Sequence, residues 1–384
     1  MADLQNNLSL WKSSFVTLLV VNLLTGIAMY GLLLTEPWVI GRYFQENLSV
    51  AGAVVSVFGA GIFLFGPFAN YWLDRYKRKS VVLWAQFFML LFTVATLYRL
   101  PEWMYIAARF VQGSAYGLFQ IALGSTLLID LTYTKKRTEA AYWYYWFTRL
   151  ALALGPMAAL LLNFFFDWEN VIWLPASLLL LSWLLILQLH VPFRTPLEPK
   201  RFSLDRFWLS RGKILFFTLV PVSFLLGLLL PRNYTVYFYG WLFLGFLLSQ
   251  SVHYFFFRKR DSRMLMLLGF LSLMVVYLIN VLVPEPDVVP FTGLFAGVGG
   301  GLLTSRYLIY FMRVAEHCER GTAQSSFMLG WESGLCLGVL CSSVLLPLNA
   351  QIVYCVGLAV VFLLTVFYFI KVHRWFLTHS RKGM

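Results

Sequence analysis

Charge is what this chain lacks. Asp, Glu, Lys and Arg make up 12% of its 384 residues, against 60% hydrophobic and 18% aromatic. A mean hydropathy of +0.74 lies far outside the range of soluble globular domains. Cysteine is scarce too. Cys318, Cys336, Cys341 and Cys355 have neither metal-ligand nor redox spacing, and three of them fall in apolar runs, where a thiol serves as a small packing group. The sequence contains no P-loop, no His-Glu-x-x-His and no nucleophile elbow. Those absences count against ATP hydrolysis and against metalloprotease or serine-hydrolase chemistry. No metal and no cofactor is expected.

Long apolar runs take up the space that charge leaves. About 30 Å of hydrocarbon is crossed by roughly 20 helical residues. A spanning segment must satisfy its own backbone hydrogen bonds, so only helices and closed barrels qualify. The runs are continuous rather than alternating, and too long for barrel strands. They fall at about 12–34, 48–71, 80–99, 103–131, 139–165, 170–189, 212–231, 234–257, 264–283, 288–312, 322–346 and 350–370. This predicts an all-α membrane protein with twelve transmembrane helices. The first run, Phe15 to Leu34, is too long for a signal-peptide core and lacks a small-residue cleavage site, so it reads as a span.

The few charges are strongly sided. Connectors such as "RLPEW", "FDWEN" and "VPEPD" alternate with basic ones such as "LDRYKRK", "TKKRTE" and "FRKRDSR". The basic side, with Lys12 and the C-terminal tail, holds 24 of the 30 Lys and Arg. The other side holds Arg42, Arg99 and Arg232 together with Glu46, Glu102, Asp167, Glu169, Glu285 and Asp287. By the positive-inside rule both termini and the basic connectors are expected to be cytoplasmic. The net charge of +13 is then topological, and nucleic acid is not an expected partner. The longest connector, "HVPFRTPLEPKRFSLDRFWLSRGK", divides the chain into six spans (1–189), a linker (190–211) and six more spans (212–384). Its three prolines and the basic, aromatic-spaced stretch after them predict a flexible joint and a short helix on the membrane surface.

The halves repeat. "KKRTEAAYWYYWFTRLALALG" and "CERGTAQSSFMLGWESGLCLG" align without gaps, placing Arg137 on Arg320, Ala140 on Ala323, Arg149 on Glu332 and Gly155 on Gly338. Transporters are commonly built from such repeats, with the substrate site between them. Specific residues sharpen this. The loop after span two reads Asn70-Tyr-Trp-Leu-Asp74-Arg75-Tyr-Lys77-Arg78-Lys79, span four contains Arg109-Phe-Val-Gln112-Gly113, span five contains Gly155-Pro156, and "DWEN" (Asp167 to Asn170) follows it. In number and place these resemble motifs of the major facilitator superfamily. In the first motif Asn70 and Lys77 replace the family's two glycines, and most of the glycines around Gly155-Pro156 are missing.

The resemblance implies two six-helix bundles rocking around a central site lined by helices one, four, seven and ten. It also implies that the loop after span two latches the cytoplasmic side. Asp74 is suited to the positive N-terminal end of span eleven near Thr322, and Arg75 and Arg78 to carboxylates or lipid phosphates. As a topogenic charge cluster alone, the loop would look the same. The fold usually works as a monomer.

Charges inside spans each need a reason, because one at the bilayer centre costs roughly 2.5–3.5 kcal/mol on insertion scales. Arg109, Gln112, Tyr116 and Gln120 form a polar stripe on span four, readable as a substrate or proton path, or as an outward-snorkelling arginine. Arg149 and Glu332 each lie twelve residues inside spans five and eleven, roughly 18 Å of helix from Arg137 and Arg320. Glu332 is the one carboxylate at that depth. With Arg109 and Arg149 it forms either a proton-coupling set or a static salt bridge between the halves. Asn22 and Thr25 on span one suit either substrate or interhelical hydrogen bonding. No acid lies deep in span one, since Glu36 is near its outer end. Arg306 in span ten is expected to snorkel inward. "YWYYWF", Tyr142 to Phe147, reads as an aromatic belt or as a site for flat hydrophobic cations. Gly113, Gly155-Pro156, Gly330, Gly334, Gly338 and the glycines at 297 and 299–301 suit close helix packing or bending.

Polar residues scattered through span centres favour a transport path over an enzyme's interfacial catalytic cluster. The expectation is a secondary transporter in a bacterial inner membrane that exports a small organic solute against protons. Gly155-Pro156 supports that direction through its resemblance to the efflux branch. Proton-coupled uptake, a polytopic enzyme such as a lipid acyltransferase, and a transporter-derived sensor are the alternatives. Expected partners are the small-molecule substrate, protons and membrane lipid.

Overall fold

The computed structural model describes residues 10–44, 48–98, 100–191, 200–231, 235–256, 262–283 and 288–380. Among these residues there is no β-strand, and twelve long helices carry the chain. They are α1 (Ser13–Phe44), α2 (Leu48–Arg75), α3 (Arg78–Ala95), α4 (Glu102–Gln120), α5 (Arg137–Asn163) and α6 (Trp173–Gln188), then α7 (Lys213–Leu229), α8 (Val236–Phe256), α9 (Ser262–Leu282), α10 (Val289–Val314), α11 (Arg320–Leu345) and α12 (Ala350–Phe367). Nine of the described helical stretches are long and apolar enough to cross a membrane, and α6 and α8 add shorter apolar helices. In α10 a Gly-Gly-Gly run, Arg306 and Arg313 dilute the hydrophobicity. Arg99, Arg232, Glu46, Glu285, Asp287 and the three linker prolines lie outside the described residues.

Helix is the only local answer where lipid supplies no hydrogen-bond partner. Pro67, Pro156 and Pro221 sit inside α2, α5 and α7 without ending them. α4 continues through a π-helical stretch, Ile121–Leu127, into Leu128–Leu131. Such widened turns rotate the side chains that follow.

Packing follows the small residues. A Cβ built on Gly155 of α5 would lie 2.6 Å from the carbonyl oxygen of Ile27 on α1, and one on Gly338 of α11 would lie 2.3 Å from that of Phe224 on α7. On α4, the Gly113 position lies 2.0 Å from the Phe58 carbonyl of α2, and on α10 the Gly297 position lies 2.4 Å from the Leu242 carbonyl of α8. Thus α1–α5 and α2–α4 have counterparts in α7–α11 and α8–α10, and the aligned pair Gly155 and Gly338 occupies equivalent seams. Gly334 approaches α7 in the same way, 2.3 Å from the Val220 carbonyl. Between the halves, α2 meets α11 and α5 meets α8.

The linker departs from expectation. Instead of a helix on the membrane surface, residues 200–209 form an irregular strap ending in the short turn Ser210–Gly212. The strap is held between α2 and α11. The Ser203 amide donates to the Pro67 carbonyl (3.1 Å), and the Leu209 amide to Ser326 Oγ (2.7 Å). Phe207, buried, lies against Gly66, and Arg206 turns the chain with φ 55°. Its hydrogen bonds run to both neighbours, which a surface helix could not provide. Nearer the opposite face no strap intervenes, and Ser56 Oγ bonds the Cys336 carbonyl directly (3.1 Å).

Gly113→Ala should force α2 and α4 apart and lower stability by about 1–3 kcal/mol, as overpacking does. Thermal unfolding of the purified variant in detergent checks this, and an unchanged midpoint would contradict the backbone contact at Phe58.

Candidate functional site

α1, α4 and α11 converge on Glu332, which is 3% exposed. The Tyr30 hydroxyl of α1 donates to Glu332 Oε1 at 2.7 Å, and the Tyr116 hydroxyl of α4 donates to the same oxygen at 3.4 Å. Trp331 Nε1 in turn donates to the Tyr30 oxygen at 3.2 Å. Among the described residues Glu332 makes no ion pair. The static salt bridge with Arg109 or Arg149, one of the two readings of this set, is therefore not made, and two tyrosines take its place. Span one supplies Tyr30 here, where it supplies no acid.

Arg109 is 1% exposed, so it does not snorkel. Its Nη1 donates to Gln112 Oε1 (2.9 Å) and its guanidinium lies 4.8 Å from the Phe58 ring centroid. Gln112 Nε2 continues to Thr93 Oγ1 on α3 (3.2 Å). The stripe on α4 therefore divides. Arg109 and Gln112 turn toward α2 and α3, Tyr116 toward Glu332, and Gln120 toward α1 and α5.

Asn22 belongs to that last branch. Its Nδ2 donates to the Tyr144 carbonyl (2.9 Å) and to Thr148 Oγ1 (2.8 Å), while Gln120 Nε2 donates to Asn22 Oδ1 (3.1 Å). The Tyr144 hydroxyl closes the network on Gln120 Oε1 (2.7 Å). Thr25 faces elsewhere, bonding Ser182 Oγ of α6 (2.9 Å), with Gln86 of α3 joining both. In this structure Asn22 and Thr25 join helices and do not share one open face.

Arg149 of α5 is 2% exposed, and its Nη1 donates to Ser305 Oγ of α10 (2.7 Å). Two turns earlier the Tyr142 hydroxyl donates to Gln250 Oε1 of α8. Arg306 is 9% exposed and is buried among helices rather than snorkelling. The run "YWYYWF" is likewise no simple belt, since Tyr142, Tyr144 and Tyr145 are buried. Tyr30, Trp331, Ser305 and Gln250 escape sequence reasoning, because one tyrosine, serine or amide in an apolar run carries little cost to mark it.

At the basic face the expected contact of Asp74 with the start of α11 is mediated. Arg206 of the strap donates to Asp74 Oδ1 (2.7 Å), and the Arg206 amide donates to Thr322 Oγ1 (3.0 Å). The Thr322 hydroxyl donates to Asp205 Oδ1 (3.3 Å). Arg78 forms an ion pair with Asp130 of the α4 extension. Arg75 bonds the Tyr71 hydroxyl on its own helix (2.5 Å) rather than a carboxylate. A cavity of about 620 Å³ opens here, lined by Arg78, Asp130, Arg137, Asp205, Arg206 and Arg320 among others. Among the described residues no cluster of His, Cys, Asp and Glu could hold a metal ion.

The family model described as Major Facilitator Superfamily matches residues 18–259. The chain belongs to the Major Facilitator Superfamily. Its fold agrees with solved superfamily structures. A mutant of the nucleoside transporter NupG superposes with a TM-score of 0.66 at 12% identity, over 93% of this chain and 99% of that one. A bacterial homologue of the iron transporter ferroportin, outward-facing with soaked iron, gives 0.64 at 19% identity, over 94% and 98%. The human organic anion transporter MFSD10 (TETRAN) gives 0.66 at 16%, over 92% and 98%. No curated protein sequence matches. Family and fold make the chain an integral multi-pass membrane transporter rather than an enzyme, and transporters of the superfamily bind small-molecule substrates.

The Asp74–Arg206 pair is partly buried, with side chains 13% and 21% exposed. A double-mutant cycle with Asp74→Asn and Arg206→Gln should return a coupling of about 1 kcal/mol in thermal unfolding. Strict additivity would mean that the pair does not join strap to α2.

Proposed function

We propose that this transporter exports a small organic solute by alternating access, driven by proton entry. Residues 1–189 and 212–384 act as two six-helix bundles, and 190–211 is their linker. The doubled seams α1–α5 with α7–α11 and α2–α4 with α8–α10 support that division. The basic face, which holds both termini, is the cytoplasmic side of a bacterial inner membrane, as the sided charge favours. The protein acts as a monomer in contact with membrane lipid.

The observation that carries proton coupling is Glu332, a buried carboxyl on α11 of the second half, held by hydroxyls from α1 and α4 of the first rather than by a cation. Burying a charge without a counter-ion costs several kcal/mol, so the packed arrangement suits a proton on Glu332. Parting the halves would admit water and release that proton. Tyr30 and Tyr116 hold the carboxyl in either protonation state, because a carbonyl and a carboxylate oxygen both accept. One proton crossing 100 mV releases about 2.3 kcal/mol, enough for roughly fiftyfold accumulation of a neutral solute. Direction rests on Gly155-Pro156, whose glycine sets the α1–α5 contact.

Asp74, Arg75 and Arg78 form the cytoplasmic gate, with the strap as its working partner. Gly113, Gly155, Pro156, Gly334 and Gly338 keep the helices of each half moving as units. Tyr116 borders the path beside Glu332, while Asn22, Thr25, Arg109, Gln112 and Gln120 brace the first-half helices around it.

In proteoliposomes with an internal pH dye, Glu332→Gln should abolish solute-dependent proton flux across a panel of drugs, sugars, organic acids and peptides while the protein stays folded. Flux at the wild-type rate would remove Glu332 as carrier. Asp74→Asn should slow transport several-fold with the order of substrate preference intact. A changed order would place Asp74 in the binding site instead of the gate.

A further inference from the structure

Arg149 has no carboxylate partner among the described residues. It lies deep in α5 and is 2% exposed, and Ser305 Oγ takes one of its donors. Its other terminal nitrogen, Nη2, is buried with no hydrogen-bond partner. A guanidinium at that depth is costly unless paired and fully hydrogen-bonded. Among the described residues no carboxylate pairs with Arg149. Glu332 is the one carboxylate deep in a span, and its hydrogen bonds go to Tyr30 and Tyr116.

The surroundings are rich in donors. Tyr145, one turn before Arg149, bonds the backbone carbonyl of Gln324 on α11 (3.0 Å), which brings α11 against this part of α5. The Gln324 side chain is wholly buried, and neither its Nε2 nor its Oε1 has a partner. The neighbouring Ser325 Oγ is also buried without one. Native interiors leave few polar groups in this condition, and each exception calls for an explanation, a bound group among them. A second cation, Arg306, follows Ser305 on α10.

We propose that the transported solute is an organic anion whose carboxylate, sulfonate or phosphate group is bound by Arg149. The inference rests on the transporter reading and names the chemical class of its substrate. Arg149 presents the planar fork that such groups accept, with Gln324 Nε2 as a further donor. The site lies between α5 of the first half and α10 and α11 of the second. An anion bound there would sit where the two halves meet and would supply the counter-charge that Arg149 lacks among the described residues. Glu332 remains apart, which leaves proton and anion on separate groups.

The test is equilibrium binding to the full-length protein in detergent, read by tryptophan fluorescence and thermal unfolding, and it needs no proton gradient. The probes are benzoate, benzenesulfonate and phenylphosphate, with benzamide as neutral isostere and benzylammonium as cation. At least one anion should bind wild type about tenfold or more tighter than benzamide and benzylammonium. Arg149→Gln should abolish the preference, and Arg149→Lys should weaken the anion about tenfold by losing the fork. The preference of wild type is decisive even where a variant folds poorly. Ligand-free Arg149→Met should unfold at the wild-type temperature or a few degrees above it, since a buried unpaired cation is removed. A fall of several degrees would make Arg149 a structural tie and overturn the proposal. So would anion binding that survives Arg149→Gln, tighter binding of benzamide or benzylammonium, or no response to any of the three anions. Anion binding together with unchanged proton flux in Glu332→Gln would overturn only the coupling scheme.

Discussion

Backbone contact between helices at glycine is the constraint on which the rest of the molecule depends. Lipid tails are as apolar as leucine, so close approach rather than hydrophobic drive must hold spans together. The seams at Gly155, Gly113, Gly297 and Gly338 leave no room for a methyl group. They also set the depth and rotation of the polar side chains nearby. Glu332 precedes Gly334 by two residues, and Arg149 precedes Gly155 by six. Across the halves the contacts are softer. Gly59 and Gly52 of α2 meet the side chains of Cys336 and Ser343, and a backbone approach recurs where Gly321 meets the Ser125 carbonyl. Stiff seams inside each half and mainly side-chain contact between them support the proposed motion of the halves as units.

The polar interior is of two kinds. The Asn22–Gln120–Tyr144–Thr148 and Thr25–Gln86–Ser182 networks lie within the first half and are closed by short bonds among neutral groups. Such networks rigidify when satisfied. Glu332 and Arg149 lie where the halves meet, and each is held by hydroxyls rather than by an opposite charge. A salt bridge between them would have fixed both groups and removed two charges from service. A hydroxyl orients a charged group without neutralising it, so each remains able to take up a ligand of its own.

Much of the fold was legible in the sequence because the bilayer leaves one answer for each long apolar run. The repeat was legible too, since Gly155 and Gly338 occupy equivalent seams. It misled about contact. Arg149 and Glu332 align at equal depth, and a salt bridge of Glu332 with Arg149 or Arg109 is one of the two readings their charges allow. Yet a pseudo-symmetric repeat maps a residue to its equivalent position and not to its neighbour. The equivalent positions on α5 and α11 face different helices, α10 in one case and α1 with α4 in the other. The strap was illegible for another reason. An irregular segment has no periodicity, and nothing in "FSLDRFW" tells that Arg206 will stand between Asp74 and Thr322. Tyr30 left no signal because a tyrosine costs little in an apolar helix.

The strap gives the proposed gate its energy scale. It bonds α2 through Ser203 and Arg206 and α11 through Arg206 and Leu209, so parting those helices on the basic face breaks one set while the other can persist. Each neutral hydrogen bond is worth about 1 kcal/mol net, and a partly exposed ion pair is similar. The set on one side is therefore worth a few kcal/mol, the range that separates interconverting states. Phe207 adds apolar burial against Gly66, which a direct contact of Asp74 with α11 would not supply. A covalent linker that also serves as the wedge stays near both partners when the face opens, so reclosure needs no search. That economy offers a physical reason why the loop after α2 can do without the two glycines of the family pattern: the strap, not a tight turn, carries the contact to α11.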